Sequence, residues 1–205
     1  MLLASWLHSW RSLGGNGEGI PLMQKLTAAY AEPQRSYHTI QHLTECLALL
    51  EPHRELAEHP AEVEIALWFH DAVYDVQAKD NEAKSAQWAE TELNAAGVAP
   101  PAVARIRELI MATCHAALPV GQDQKLLVDV DLAILGAPRP RFIEYEEQVR
   151  QEYDWVPGWL FRRRRRGILK EFLAREPIYN TPQIRAKLEG QARENLAYSL
   201  ERLRS

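Results

Sequence analysis

Residues 68–75 read Trp68-Phe69-His70-Asp71-Ala72-Val73-Tyr74-Asp75. An apolar run that starts at Ile65 leads into this stretch and ends in a histidine and an aspartate side by side. Burying an ionised carboxylate is costly unless a partner, often a metal ion, compensates its charge. An imidazole nitrogen and a carboxylate oxygen together suit a divalent transition metal. The pair therefore predicts a metal site where a buried helix ends.

Two other apolar-patterned segments carry residues that could complete such a site. His38 and His42 are four residues apart, so we expect them on one face of a helix. Asp129 and Asp131 lie within residues 126–135, which are apolar nearly all round and predict a buried helix. A histidine above an apolar stripe is by itself better explained as a core residue, but the nearby His-Asp pair favours a metal site.

The rest of the chain predicts an all-α fold, a single compact helical bundle over residues 1–205 with a core at about 20–200. Apolar residues recur at helical spacing, prolines stand at expected helix starts, and glycines follow expected helix ends. A strand over 126–135 is less favoured, because helix-ending signals surround it. The predicted helices are an amphipathic one over 2–13, then 21–30, 35–50, 60–70, 82–96, 100–115, 123–135, 141–153 and 181–200. We interpret the five arginines at 162–166 as a solvated helix face.

Composition limits the classes of protein to consider. The 205 residues are 46% hydrophobic and 25% charged, which is typical of a globular protein. The net charge of -4 gives no reason to expect a nucleic-acid polymer as partner. No apolar run is long enough for a bilayer and the first residues make a poor signal peptide, so we predict a cytoplasmic protein without a membrane partner. Cys46 and Cys114 have no disulfide or zinc-finger spacing and are expected to be small buried side chains.

The order of candidate ligands along the chain resembles the HD-domain superfamily of metal-dependent phosphohydrolases. The resemblance is closest to a bacterial subgroup known only as predicted members of that superfamily. Three stretches carry it: Tyr37-His38-Thr39-Ile40-Gln41-His42; Phe69 to Asp75 with the following Asn81-Glu82 and Ser85-Ala86; and Asp129 to Gly136. Residues 178–180 and 192–196 are also similar, so the resemblance covers about residues 20–200.

The resemblance implies four metal ligands: His42, His70, Asp71 and Asp131. Asp131 is preferred to Asp129 because its Asp-Leu-x-x-Leu-Gly context matches the last ligand segment of the superfamily, which leaves Asp129 a structural role.

The His-Asp segment also resembles the hydrolase domain of enzymes that degrade guanosine tetraphosphate, which show His-Asp-x-Val-Glu-Asp. Tyr74 stands in place of the glutamate, which argues against the same substrate, and Asp75 keeps the aspartate. Asp75 is therefore a candidate for handling the attacking water.

Together these features predict hydrolysis of a phosphate ester or phosphodiester in a nucleotide-like small molecule by water activated at a divalent ion: Mn, Fe, Zn, Ni, Co or Mg. Asp71 could both bind the ion and orient the water. His38, one turn before His42, could act as general acid or contact the phosphate. Arg35 and Lys84 are predicted phosphate clamps, and Glu82 is predicted to line the pocket.

Several alternatives remain open at this point. His115 ends a helix, where a cation is favourable, and a role as ligand of a second ion is the weaker interpretation. The chain could be a non-catalytic metal- or nucleotide-binding regulatory module, but none of the four ligands is missing. A purely structural helical protein would have to bury Asp131 without a metal partner. The six tryptophans and the first helix could cover the core or a homo-oligomer interface.

Overall fold

The computed structural model describes residues 2–204, and within that range the chain contains ten α-helices, two short 3-10 helices and no strand. This confirms the prediction of an all-α fold and the helical interpretation of residues 126–135. The chain divides into two compact units, the first ending at Asp131 and the second beginning at Leu132. The prediction of a single domain stays a prediction. Among the described helices, none combines the length and the apolar character needed to span a bilayer.

The first unit contains seven α-helices and the 3-10 helix Glu51–Leu56. The α-helices are α1 (Leu2–Ser12), α2 (Ile20–Ala29), α3 (Ile40–Leu50), α4 (Pro60–Phe69), α5 (Asn81–Ala95), α6 (Pro100–Ala112) and α7 (Gly121–Asp131). Proline stands in the first turn of α2, α4 and α6, where its missing N–H costs nothing.

Helix α4 forms the centre of the first unit. Every side chain over 62–69 is buried, and α1, α3, α5, α6 and α7 all pack against it. Trp68 meets Trp6 edge to face with 5.2 Å between ring centroids, and Trp6 stacks on Trp10 at 5.2 Å. Gly19 adopts a φ of +64°, and a Cβ there would lie 2.6 Å from the Trp10 ring. Only glycine therefore lets the loop before α2 close over that ring.

Two helix boundaries differ from the predicted ones by four residues or more. α3 begins at Ile40 rather than at residue 35, because Thr39 is extended and its hydroxyl accepts a hydrogen bond from the N–H of Gln41 at 3.3 Å. His38 consequently precedes the helix. α7 ends at Asp131, and the chain continues as a 3-10 helix instead of as α-helix to residue 135.

Two predicted environments are also wrong. Cys46 is buried as predicted, but Cys114 is exposed in the turn after α6. Arg165, within the arginine run expected to be solvated, is buried.

The second unit contains the 3-10 helix Leu132–Gly136 and three α-helices. These are α8 (Arg139–Glu152), α9 (Gly158–Leu173) and α10 (Pro182–Arg202). The 3-10 helix packs against α10, where the side chain of Asn195 donates 2.8 Å hydrogen bonds to the carbonyls of Leu135 and Ala137. Gly136 allows this approach, since a Cβ there would lie 2.8 Å from the Leu188 carbonyl oxygen.

Candidate metal centre

Three helix ends in the first unit bring ligand-type side chains together. His42 is the third residue of α3, His70 directly follows α4, and Asp131 is the last residue of α7. One donor atom from each lies within 4.8 Å of the others, and both histidines are buried. This arrangement could hold a metal ion.

Asp71 joins the same group of atoms. The Nε2 atoms of His42 and His70 are 3.1 Å apart. Oδ1 of Asp131 lies 3.3 Å and 3.5 Å from these two nitrogens. Oδ2 of Asp71 lies 3.5 Å from Nε2 of His42 and 3.0 Å from Nε2 of His70. The structure thus places all four predicted ligands around the two facing imidazole nitrogens, and we call them the ligand cluster. Within it, the donor atoms of His42, His70 and Asp131 all lie within 4.8 Å of one another, whereas Asp71 is not part of that closer group.

Hydrogen bonds fix which nitrogen each imidazole directs into the ligand cluster. Nδ1 of His70 donates to the Leu67 carbonyl at 2.7 Å, so Nε2 faces inward. Nδ1 of His42 lies 3.1 Å from the Tyr37 hydroxyl, which leaves its Nε2 directed at His70. Metal-binding histidines in proteins are oriented by such bonds at the second ring nitrogen. The environment of both rings is therefore suited to ligation.

The charges of the ligand cluster depend on one another. Burial lowers the pKa of His70, but the carboxylates of Asp71 and Asp131 outweigh it and hold that pKa well above its usual value. Burial raises the pKa of both carboxyls, but nearby histidines outweigh it. His70 holds the pKa of Asp71 below its usual value. His115, together with His42 and His70, does the same for Asp131. Buried negative charge therefore has to be balanced by protons on imidazole. A divalent cation would balance the same charge and release those protons.

The donor set fits a divalent ion. Two imidazole nitrogens and two carboxylate oxygens suit the predicted transition metals better than Mg, which prefers oxygen ligands. The Cys46 sulfur lies 3.8 Å from Nε2 of His42, but burial, reinforced by Asp131, raises the pKa of its thiol. Cys46 is not one of the three residues whose donor atoms meet, so it borders the cluster.

Arg35, a predicted phosphate clamp, is buried beneath the turn that carries Asp71. Its guanidinium donates to the carbonyls of Asp71 at 2.5 Å, Ala72 at 3.0 Å and His38 at 3.2 Å. It also pairs with Glu32 at 3.0 Å. These contacts favour a role in positioning Asp71 over direct contact with a phosphate.

His115 contacts the ligand cluster from outside. Its Nε2 lies 3.0 Å from Oδ2 of Asp131, the carboxylate oxygen other than the one near His42 and His70. His115 has a φ of +52°, which is unusual for a residue with a side chain. Sequence reasoning did not predict its contact with Asp131. The available signal was a histidine just beyond an apolar helix, the same signature as at His70.

His38 lies beside the ligand cluster although it is not helical. Its ring stacks on Tyr74 with centroids 4.1 Å apart and lies 6.0 Å from the ring of His42. His38 also helps to hold the pKa of Asp71 below its usual value. Asp75 is exposed in the following turn, where its carboxylate accepts from the N–H of Gln77 at 2.8 Å.

The remaining predicted site residues lie further out. Lys84 is exposed and pairs with Asp80 at 2.9 Å within the first turn of α5. Glu82 is partly buried, and its carboxylate adds to the effect of burial in raising the pKa of the Cys114 thiol. Asp129 is fully buried in α7 and is not one of the three residues whose donor atoms meet. The role of each in a substrate site stays a prediction.

Searches with the chain against protein-family models, curated proteins and solved structures give no match. The resemblance to HD-domain enzymes therefore stays a prediction, and the chemistry has to be argued from the ligand cluster itself.

Proposed function

We propose that this chain is a metal-dependent phosphohydrolase that cleaves a phosphate ester or phosphodiester of a small, nucleotide-like molecule. The observation that carries the proposal is the meeting of two imidazole nitrogens and two carboxylate oxygens in the ligand cluster. An ion bound there would lower the pKa of a water molecule and polarise a phosphoryl oxygen.

The chain's own residues divide the remaining work. The side chain of Asp71 is 16% exposed, against 1% for His70, so substrate and water approach from the carboxylate side. Asp71 accepts a hydrogen bond from the attacking water and holds it in line. His38, partly exposed beside the cluster, donates a proton to the leaving oxygen. Arg35 fixes the Asp71 turn through backbone carbonyls.

The charge of the first unit bears on the substrate. It contains 9 Lys and Arg against 18 Asp and Glu, a formal net charge of -9. Arg35 is occupied by carbonyls, and Lys84 is paired with Asp80. An anionic substrate therefore finds little lysine or arginine charge to neutralise it, which favours a singly charged phosphodiester over a polyphosphate.

Elemental analysis of the purified full chain tests the metal part of the proposal. We expect near-stoichiometric metal in the wild type and in Asp75→Ala, and little in Asp71→Ala. Asp75→Ala is the matched control, because it removes an exposed carboxylate four residues away. Absence of metal from the wild type after incubation with Mn, Fe, Zn and Mg salts would overturn the proposal.

Turnover separates an enzyme from a binding module. Metal-loaded protein should hydrolyse bis-p-nitrophenyl phosphate faster than nucleoside triphosphates, and His38→Ala should keep its metal while losing most activity. A stoichiometric metal without hydrolysis of any phosphomonoester, diester or nucleotide tested would support the regulatory module instead.

A further inference from the structure

The arginine run 162–166 does not behave as one solvated face. Arg165 points into the second unit, where its guanidinium lies 3.1 Å from the Glu146 carboxylate and 2.7 Å from the Tyr145 hydroxyl. Arg164 is exposed on another side of α9. The other members of the run, Arg162, Arg163 and Arg166, have a different set of neighbours.

These three arginines share one helix face with Trp159 and Lys170. Counted from Trp159, the other four residues follow after three, four, seven and eleven positions, which is the spacing of one face of an α-helix. Together with Arg204, which follows α10, they line a groove of about 440 Å³. We call these six residues the cationic groove.

Among the described residues 2–204, no ion pair involves any of the five cations of the cationic groove, whereas Arg165 and Arg193 in the same unit are paired. Like charges one turn apart on a helix repel and destabilise it. A bound polyanion would remove this cost and would gain several charge-assisted hydrogen bonds.

The charge of the whole chain conceals this feature. The second unit holds 15 Lys and Arg against 10 Asp and Glu, a formal net charge of +5. The total of -4 arises only because the first unit is strongly acidic. Charge asymmetry between two parts of a chain is a signature of binding to nucleic acid or to a membrane surface.

We propose that the cationic groove binds single-stranded nucleic acid, with its cations on successive phosphates and Trp159 under an unpaired base. From residue 159 to 170 the helix rises about 16 Å, enough for a few nucleotides. Trp159 is 63% exposed at one end of the groove, and a base stacks on such a ring whatever its identity. This binding is independent of the proposed hydrolase.

An acidic bilayer fits the same surface less well. A membrane-binding helix presents several apolar side chains along the face that enters the lipid. Here the groove lining offers Trp159 and the partly buried Leu203, and Ile168, the other exposed large apolar residue of α9, lies nearly opposite Trp159 by helical spacing. A concave row of cations suits a strand of phosphates better than a flat lipid surface.

Fluorescence anisotropy with the full chain and a labelled oligonucleotide of about 12 nucleotides tests the proposal. With one phosphate contact for each of the five cations, log affinity should fall against log salt with a slope of about -3.5, at about -0.7 per contact. Arg163→Gln/Arg166→Gln should weaken binding at least about tenfold and reduce the slope by about 1.4. Trp159→Ala should weaken binding about 5- to 100-fold without changing the slope.

The matched control is Arg164→Gln/Arg185→Gln, which removes two exposed arginines of the same unit outside the groove. Its affinity should stay within about twofold of the wild type. A comparison of RNA and DNA strands of the same sequence shows which nucleic acid the groove prefers, and binding of either supports the proposal. Equal losses in the groove and control variants, or equal affinity for duplex and single strand, would overturn it. So would groove-dependent binding to phosphatidylserine vesicles without oligonucleotide binding. Circular dichroism verifies folding of the variants, and the wild-type slope does not depend on any variant.

Discussion

Replacing Arg35 with alanine should lower the free energy of unfolding of the first unit by roughly 3–5 kcal/mol. Three backbone carbonyls, those of His38, Asp71 and Ala72, would lose a charged donor. A buried acceptor left without its donor costs about 1–1.5 kcal/mol or more. The ion pair with Glu32 adds little, because that side chain is 43% exposed and water can replace the arginine.

The loss is measurable by urea unfolding in the presence of a chelator, which removes the contribution of bound metal. With a slope of about 2 kcal/mol per M, the midpoint should fall by about 1.5–2.5 M. Tryptophan fluorescence is a suitable signal, since Trp6, Trp10 and Trp68 are buried in this unit. Lys84→Ala is the control, because an exposed ion pair contributes about 0–1 kcal/mol.

The same variant decides between two roles of Arg35. If Arg35 positions Asp71 through backbone carbonyls, Arg35→Ala should lose stability and metal affinity together. Arg35→Lys should recover only part of both, because an ammonium cannot bridge several carbonyls as a planar guanidinium does. An unchanged urea midpoint with a KM for phosphodiester raised about tenfold or more would refute this reasoning. Arg35 would then be the phosphate clamp predicted from the sequence.

Three further predictions test the site and the core. Tyr37→Phe should reduce metal affinity about 10-fold, because it removes the hydroxyl that orients His42. Titration against a chelating dye measures this affinity, and equal values for the variant and the wild type would contradict the prediction. Because the pKa of His70 is raised, its proton competes with metal above the usual histidine range, so the apparent metal affinity should still rise with pH between pH 7 and 8. A flat profile by calorimetry across that interval would argue against a protonated His70. Gly19→Ala should lower the free energy of unfolding by about 2–4 kcal/mol, because φ is +64° and a Trp10 ring carbon lies 2.6 Å from the added Cβ. Gly14→Ala, which has open space around the added Cβ, should lower it by only about 1 kcal/mol. Urea titration measures both changes.

Local signals in the sequence were sufficient for most of the helices, whereas the choice of His42, His70, Asp71 and Asp131 as ligands also relied on the resemblance to the superfamily. Proline at helix starts and Gly97, with its φ of +76°, after α5 mark boundaries that the structure confirms. The start of α3 was missed because the Thr39 cap overrode the apolar spacing on which the prediction relied. The partners of Arg35 were not predictable, since they are backbone carbonyls up to 37 residues away whose exposure depends on a turn. The contact of His115 with Asp131 likewise depends on how α6 and α7 pack.

The position of His70 beyond the end of α4 explains how an apolar helix can serve a polar site. Residues 62–69 are buried on all sides, so no face of this helix could carry ligands facing solvent. Where the helix ends, its last carbonyls lose their intrahelical donors and need new ones. The Leu67 carbonyl accepts from Nδ1 of His70 at 2.7 Å and from the Tyr30 hydroxyl at 3.4 Å. The helix end thus supplies the acceptor that directs Nε2 of His70 into the ligand cluster. Continuing α4 by one more turn would occupy that carbonyl with an intrahelical N–H and release the imidazole from its orientation. Formation of the ligand cluster and termination of the central helix are therefore the same structural event.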